Sequence, residues 1–165
     1  MKGKSERGFF KMAEEKEELS THEKWIQSQG IPIHREFSIP SLKTLEVGPW
    51  GRLTASGAYI ILDGAEDSND SYVLEISPRG TVAPEKHIYE ELIYVLFGSG
   101  ATTVWQSNGP KCIFEWHEGS LFAIPLNTWH QFFNGSSQPA RFYAVTTAPL
   151  VMNLYHNLDF VFNTD

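Results

Sequence analysis

From Pro40 onward the chain is a succession of short runs rich in β-branched and aromatic residues, each closed by a turn signal. Strand-length runs fall near 44–48, 57–63, 71–76, 81–87, 91–96, 101–106, 111–116, 120–124, 129–134, 140–146 and 151–156. Between them lie Asp63-Gly64, Pro78-Arg79-Gly80, Gly98-Ser99-Gly100, Asn108-Gly109-Pro110, Glu118-Gly119 and Asn134-Gly135. Many short strands at such regular spacing favour an all-β sandwich or barrel. No long amphipathic helix separates the runs, which argues against a parallel α/β sheet. Closing about ten strands into a jelly roll would also remove most exposed sheet edges.

The ends read differently. Residues 1–11 mix Lys, Gly, Ser and Arg and read as a frayed terminus. Residues 12–29 are rich in Glu and Lys and predict a surface helix stopped by Gly30 and Pro32, with Trp25 and Ile26 pinned against the barrel. Residues 158–162 predict a strand without a partner, which pairs across a dimer, folds back on its own barrel, or marks a chain cut short. The expected division is an N-terminal extension over 1–40 with its helix near 12–29, a barrel over 41–157, and a tail over 158–165.

Composition narrows the function classes. With 165 residues, 41% hydrophobic and 13% aromatic, the chain suits one globular domain with a real core. Its apolar runs are far too short to cross a bilayer, and no secretory signal is evident at the start. The single Cys112 cannot form an internal disulfide, which fits a cytoplasmic location. A net charge of −7 without a basic stripe argues against nucleic acid as a partner and permits a small-molecule ligand.

Two blocks carry the chemistry. The first runs from Gly80 through Glu85, Lys86, His87 and Glu91 to Gly98; the second from Gly119 through Pro125, Asn127 and His130 to Asn134. Together they resemble the paired motifs of the cupin superfamily, whose first motif places His-x-His and a glutamate between two glycines. Glu85 stands where that family has its first histidine, and the spacer after Gly80 is one residue short. Asn127 replaces the inner glycine of the second motif, a mild change because Asn tolerates the left-handed conformation. A second likeness, to a group of longer cupin proteins, rests on Gly30-Ile31-Pro32 and the run from Leu45 to Trp50.

The cupin resemblance implies an all-β double-stranded β-helix, or jelly-roll barrel, preceded by a short N-terminal helix. It places His87, Glu91 and His130 around one divalent metal, with Glu85 as a fourth ligand or a catalytic base. The spacing is consistent with this only if the chain turns. Four residues of strand separate their ends by about 13 Å, so the chain must bend through Ile88–Glu90 to bring Glu91 back beside His87. Once His130 faces inward, Phe132 and Asn134 do too, while Trp129 and Phe133 face away.

Two histidines with one or two carboxylates suit Fe(II) or Mn(II), then Ni(II) or Co(II), with Zn(II) less favoured. The expected function is a mononuclear metal cupin acting on a small organic molecule, an oxidoreductase of the dioxygenase type. Ile93, Val95 and Phe132 are expected to shape its pocket. The alternatives are a non-catalytic ligand-binding cupin, as a sensor or half of a double-barrel protein, and a cupin isomerase. A homodimer is expected, with Phe160 and Phe162 offering apolar surface. His22, His34, His117 and His156 have no partner at ligand spacing and read as structural or solvated. Cys112 reads as a small strand residue, and Tyr94, Trp105, Phe122 and Phe142 mostly as core.

Overall fold

The computed structural model describes residues 18–164; the expected frayed terminus and residues 12–17 of the expected helix lie outside the described residues. The helix within them, α1 (Thr21–Ser28), starts where the Ser20 hydroxyl accepts the Glu23 N–H and stops before Gly30 at φ +68°. Ile26 is fully buried and Trp25 packs against the barrel core, as the amphipathic reading expects.

Ten strands follow: β1 (Ile33–Glu36), β2 (Gly48–Trp50), β3 (Ala55–Leu62), β4 (Asp70–Ile76), β5 (Glu91–Phe97), β6 (Ser99–Trp105), β7 (Cys112–His117), β8 (Leu121–Ile124), β9 (Trp129–Asn134) and β10 (Ala140–Thr146). They form two sheets. The larger runs β1-β3-β4-β10-β5-β8, with β2 also paired to β3; the smaller runs β7-β6-β9. Every pairing is antiparallel except that of β1 with β3. The inner faces meet in one core containing Tyr72, Leu74, Ile93, Val95, Phe132 and Phe142. This is an all-β jelly roll with short helices.

Alternation places the site. Glu91 opens β5 on the face that carries Ile93 and Val95, and His130 shares its face of β9 with Phe132. The segment leading to His87, read as a strand over 81–87, makes only isolated bridges, Thr81 to Phe133 and Glu85 to His130. Pro84 in its middle has no N–H to donate, so the ladder along β9 is interrupted there.

The C-terminal part departs from the sequence reading. Of residues 151–156, expected as a strand, 151–155 belong to α2 (Ala148–Tyr155) and His156 is its C-cap, and the expected tail strand is α3 (Leu158–Asn163). Short apolar runs do not distinguish strand from helix by periodicity alone. Here Pro149 pre-sets the first turn of α2, and the Asn157 side chain caps α3 by accepting the Phe160 N–H. The buried positions Ala148, Met152 and Val161 join Tyr89 in a second cluster that closes one end of the barrel. The tail thus folds back on its own barrel, where Phe162 contacts Trp25 and Phe160 contacts Tyr155. The run expected over 44–48 begins to pair only at Gly48, and β1 forms in a Pro-flanked segment where no strand is expected.

Gly100 marks the tightest approach between strands. A Cβ there would lie 2.0 Å from the Phe133 carbonyl oxygen and 2.6 Å from the buried Trp116 ring. Gly100→Ala is therefore expected to cost about 1–3 kcal/mol of stability. At Gly51 nothing lies within 4 Å of the added atom, and Gly51→Ala should stay within about 0.5 kcal/mol of the parent. Urea unfolding of the two variants checks this; equal midpoints would contradict the packing described.

Candidate metal centre

Three elements deliver the side chains. The chain bends after His87, where the His87 carbonyl accepts the Asn127 N–H at 2.9 Å, and returns as β5 with Glu91 at its first position. Asn127 sits at φ +52° and makes the turn that starts β9, so the Asn-for-Gly exchange is accommodated. The Glu85–His130 bridge holds the two motifs side by side through a pair of backbone bonds of 3.1 and 2.9 Å.

His87, Glu91 and His130 converge. One ligand atom from each lies within 4.8 Å of the others, and the three residues are only 2%, 2% and 1% exposed. His87 Nε2 is 3.2 Å and His130 Nε2 3.7 Å from the same Glu91 oxygen, Oε2. Glu85 stands at the rim, with Oε1 3.7 Å from His130 Nε2.

The outer nitrogens decide what the inner ones can do. His87 Nδ1 lies 3.0 Å from the Tyr89 carbonyl oxygen, and His130 Nδ1 3.2 Å from that of Thr128. A carbonyl only accepts, so each Nδ1 carries a proton, and each Nε2 faces inward either as a lone pair, when the ring is neutral, or as a second N–H, when it is charged. Tyr89 also stacks on the His87 ring at 3.8 Å, fixing its plane. Glu91 is set from behind, since the Tyr72 hydroxyl donates to Oε1 and leaves Oε2 facing the imidazoles.

Electrostatics agree with a site built for a cation. Burial pushes the Glu91 carboxyl up, but the hydrogen bond and charge of His87, with His130, bring it below its ordinary value. Burial likewise opposes the charge on Glu85, and the Arg52 guanidinium outweighs it, holding Glu85 well below the carboxylate range. Burial depresses the His130 imidazole while Glu85 and Glu91 draw it up, and the carboxylates prevail. His130 Nε2 remains a buried nitrogen with no hydrogen-bond partner. Two lone pairs aimed at a carboxylate oxygen repel unless a cation or a proton stands between them. The donor set of two imidazoles and one carboxylate fits a divalent ion.

The structure assigns other places to the remaining residues. Ile93, Val95 and Phe132, expected around a pocket, are buried in the main core and line neither cavity next to Glu85. Asn134 acts as a staple, its amide donating to the carbonyls of Ile76, Ser77 and Gln138. Tyr94 is 45% exposed rather than core, and Trp105 stacks on Trp129 at the end of the smaller sheet. Cys112 is exposed. His34, His117 and His156 bond to Glu46, Glu118 and Thr21, outside the cluster. His22 is buried against Asp70 at 2.7 Å, tying α1 to β4. Sequence reasoning did not find Tyr72 or Arg52. Tyr72 lies two strand neighbours away from Glu91, across β10, and Arg52 lies in a loop with no motif to mark it.

A family model described as a cupin domain matches residues 72–146, which run from β4 to the end of β10. No curated protein matches the sequence. Among solved structures, the Lactobacillus farciminis oxalate decarboxylase formate complex is 21% identical with a TM-score of 0.56, covering 68% of this chain and 35% of that one. The Bacillus subtilis oxalate decarboxylase, described with Mn(II) centres, is 18% identical with a TM-score of 0.52, covering 56% and 26%. The cupin domain of Schizosaccharomyces pombe Cnp3 is 16% identical with a TM-score of 0.55, covering 70% and 77%. The aligned part thus spans about a third of one decarboxylase and a quarter of the other. The two sheets and the motif-borne triad agree with the family match, and lead to one conclusion: residues 72–146 of the chain are a cupin domain.

Proposed function

We propose that His87, Glu91 and His130 hold one divalent ion, Fe(II) or Mn(II), and that the chain uses it as an oxidoreductase of the dioxygenase type on a small organic molecule. The observation that carries this reading is the buried, partnerless His130 Nε2, aimed with His87 Nε2 at one carboxylate oxygen. Mn(II) is also the metal named for the B. subtilis decarboxylase of the same fold. Held by these three side chains, such an ion would supply Lewis acidity and oxygen chemistry toward a small substrate.

The chain's own groups prepare that meeting. Tyr72 keeps Glu91 pointed at the imidazoles, and the backbone of Tyr89 and Thr128 keeps both rings in the ligating tautomer. The cluster around Tyr89, Met152 and Val161 excludes water from one side. Glu85 is anchored by Arg52. A carboxylate held so far below its ordinary range is a poor base, which disfavours the isomerase alternative and assigns Glu85 to orientation at the rim.

Elemental analysis of protein purified without chelators and reloaded with Mn(II) should give one ion per chain. His130→Ala should retain almost none, and Tyr72→Phe should bind about 10–100-fold more weakly. Full occupancy in His130→Ala would refute the assignment.

Acidity provides an independent check. A histidine raised in the folded state adds stability that is complete below its unfolded pKa and is lost as pH climbs through the folded one. His130 is such a group, so the metal-free protein should melt at lower temperature as pH rises from about 6 to about 8. Glu91, shifted the other way, contributes a constant amount across that window. Metal and proton compete for the same nitrogen, so saturating Mn(II) should reverse the trend. Calorimetry on both forms reads it; parallel pH profiles would contradict a metal on His130.

A further inference from the structure

The Arg52–Glu85 ion pair separates two spaces. Outside it, a cleft of about 440 Å³ opens between α1, α3 and the 84–86 segment, with Trp25, Phe162 and Trp129 in its walls. Inside it, a cavity of about 10 Å³ touches Tyr72, Tyr89 and Asp70, which is room for roughly one water. Trp25, Arg52 and Glu85 line both spaces.

We propose that the outer cleft binds a small aromatic carboxylate, with the carboxylate paired to Arg52. That this molecule is the substrate rests on the metal-centre reading above; that it binds does not.

The donors of Arg52 point to an anion. Nε donates to Gln29 and Nη1 to Glu85, and among the described residues Nη2 meets no acceptor. A planar guanidinium with a donor edge to spare is matched by a carboxylate. The walls then set the rest of the ligand. Arg52 lies over the rings of Trp25 and Phe162 at 5.4 and 5.9 Å, and Lys86 over Trp129 at 5.5 Å. These ring faces already hold cations, so a cationic ligand would meet Arg52 and Lys86 directly. Asp159 also lines the cleft, and with Glu85 it balances the two cations there. The remaining aromatic surface fits a flat apolar body, and the cleft has ample room for a single ring and its substituents.

The test uses benzoate and its neutral isostere benzamide with chelator-treated protein. Quenching of tryptophan fluorescence, with Trp25 and Trp129 in the walls, reads binding, and calorimetry gives the affinities. Benzoate is expected to saturate a single site at least about tenfold more tightly than benzamide. Arg52→Gln alone would strand a buried carboxylate and endanger folding. The double variant Arg52→Gln with Glu85→Gln keeps an amide pair in its place and should abolish the preference. Phe162→Ala should weaken both ligands alike. Equal affinities, no saturable binding, or a preference that survives the double variant would overturn the proposal. Benzoate binding that appears only with Mn(II) would overturn it too, while leaving the metal assignment intact. Tight benzoate binding by a protein that retains no metal would uphold the cleft and sink the metal reading instead.

Discussion

Two backbone carbonyls set the centre of this fold. Tyr89 and Thr128 take the Nδ1 protons of His87 and His130, which turns both Nε2 atoms toward Glu91 in a buried site. His130 Nε2 has no hydrogen-bond partner among the described residues, and His87 Nε2 meets only Glu91 Oε2, at 3.2 Å. Folding therefore builds a concentration of electron pairs that a cation resolves. Everything near it serves the same end: the Tyr89 stack fixes one ring, the β9 strand fixes the other, and Tyr72 turns the carboxylate.

Much of this was legible in the sequence. Turn residues between β-rich runs specified a barrel, since Gly and Asn at those points supply backbone shapes that strands cannot. The spacing of His87 and Glu91 required a bend, and the Asn127 N–H closes that bend on the His87 carbonyl. Strand alternation put His130, Phe132 and Asn134 on one face, and the burial pattern of β9 follows it. The role of Asn134 was not legible, because its partners come from loop ends far along the chain.

What the sequence hid depends on contacts between distant segments. Apolar runs at the C-terminus read equally as strand or helix until something covers one side, and here the barrel end covers Met152 and Val161. Tyr72 and Arg52 carry no local pattern, yet both orient carboxylates of the centre. Lone histidines gave the opposite difficulty. His22 has no partner in sequence but finds Asp70 across the fold, and that pair secures α1 beside the cleft. The inward direction of Ile93, Val95 and Phe132 suggests a pocket, whereas all three are buried members of the main core. The open space lies farther out, beyond Arg52 and Glu85.

The most direct test of the central claim is anomalous diffraction from crystals of the Mn(II)-loaded protein. One strong peak per chain is expected, within bonding distance, about 2 Å, of the Nε2 atoms of His87 and His130 and of Glu91. A peak elsewhere, or none at full Mn(II) loading, would contradict the account.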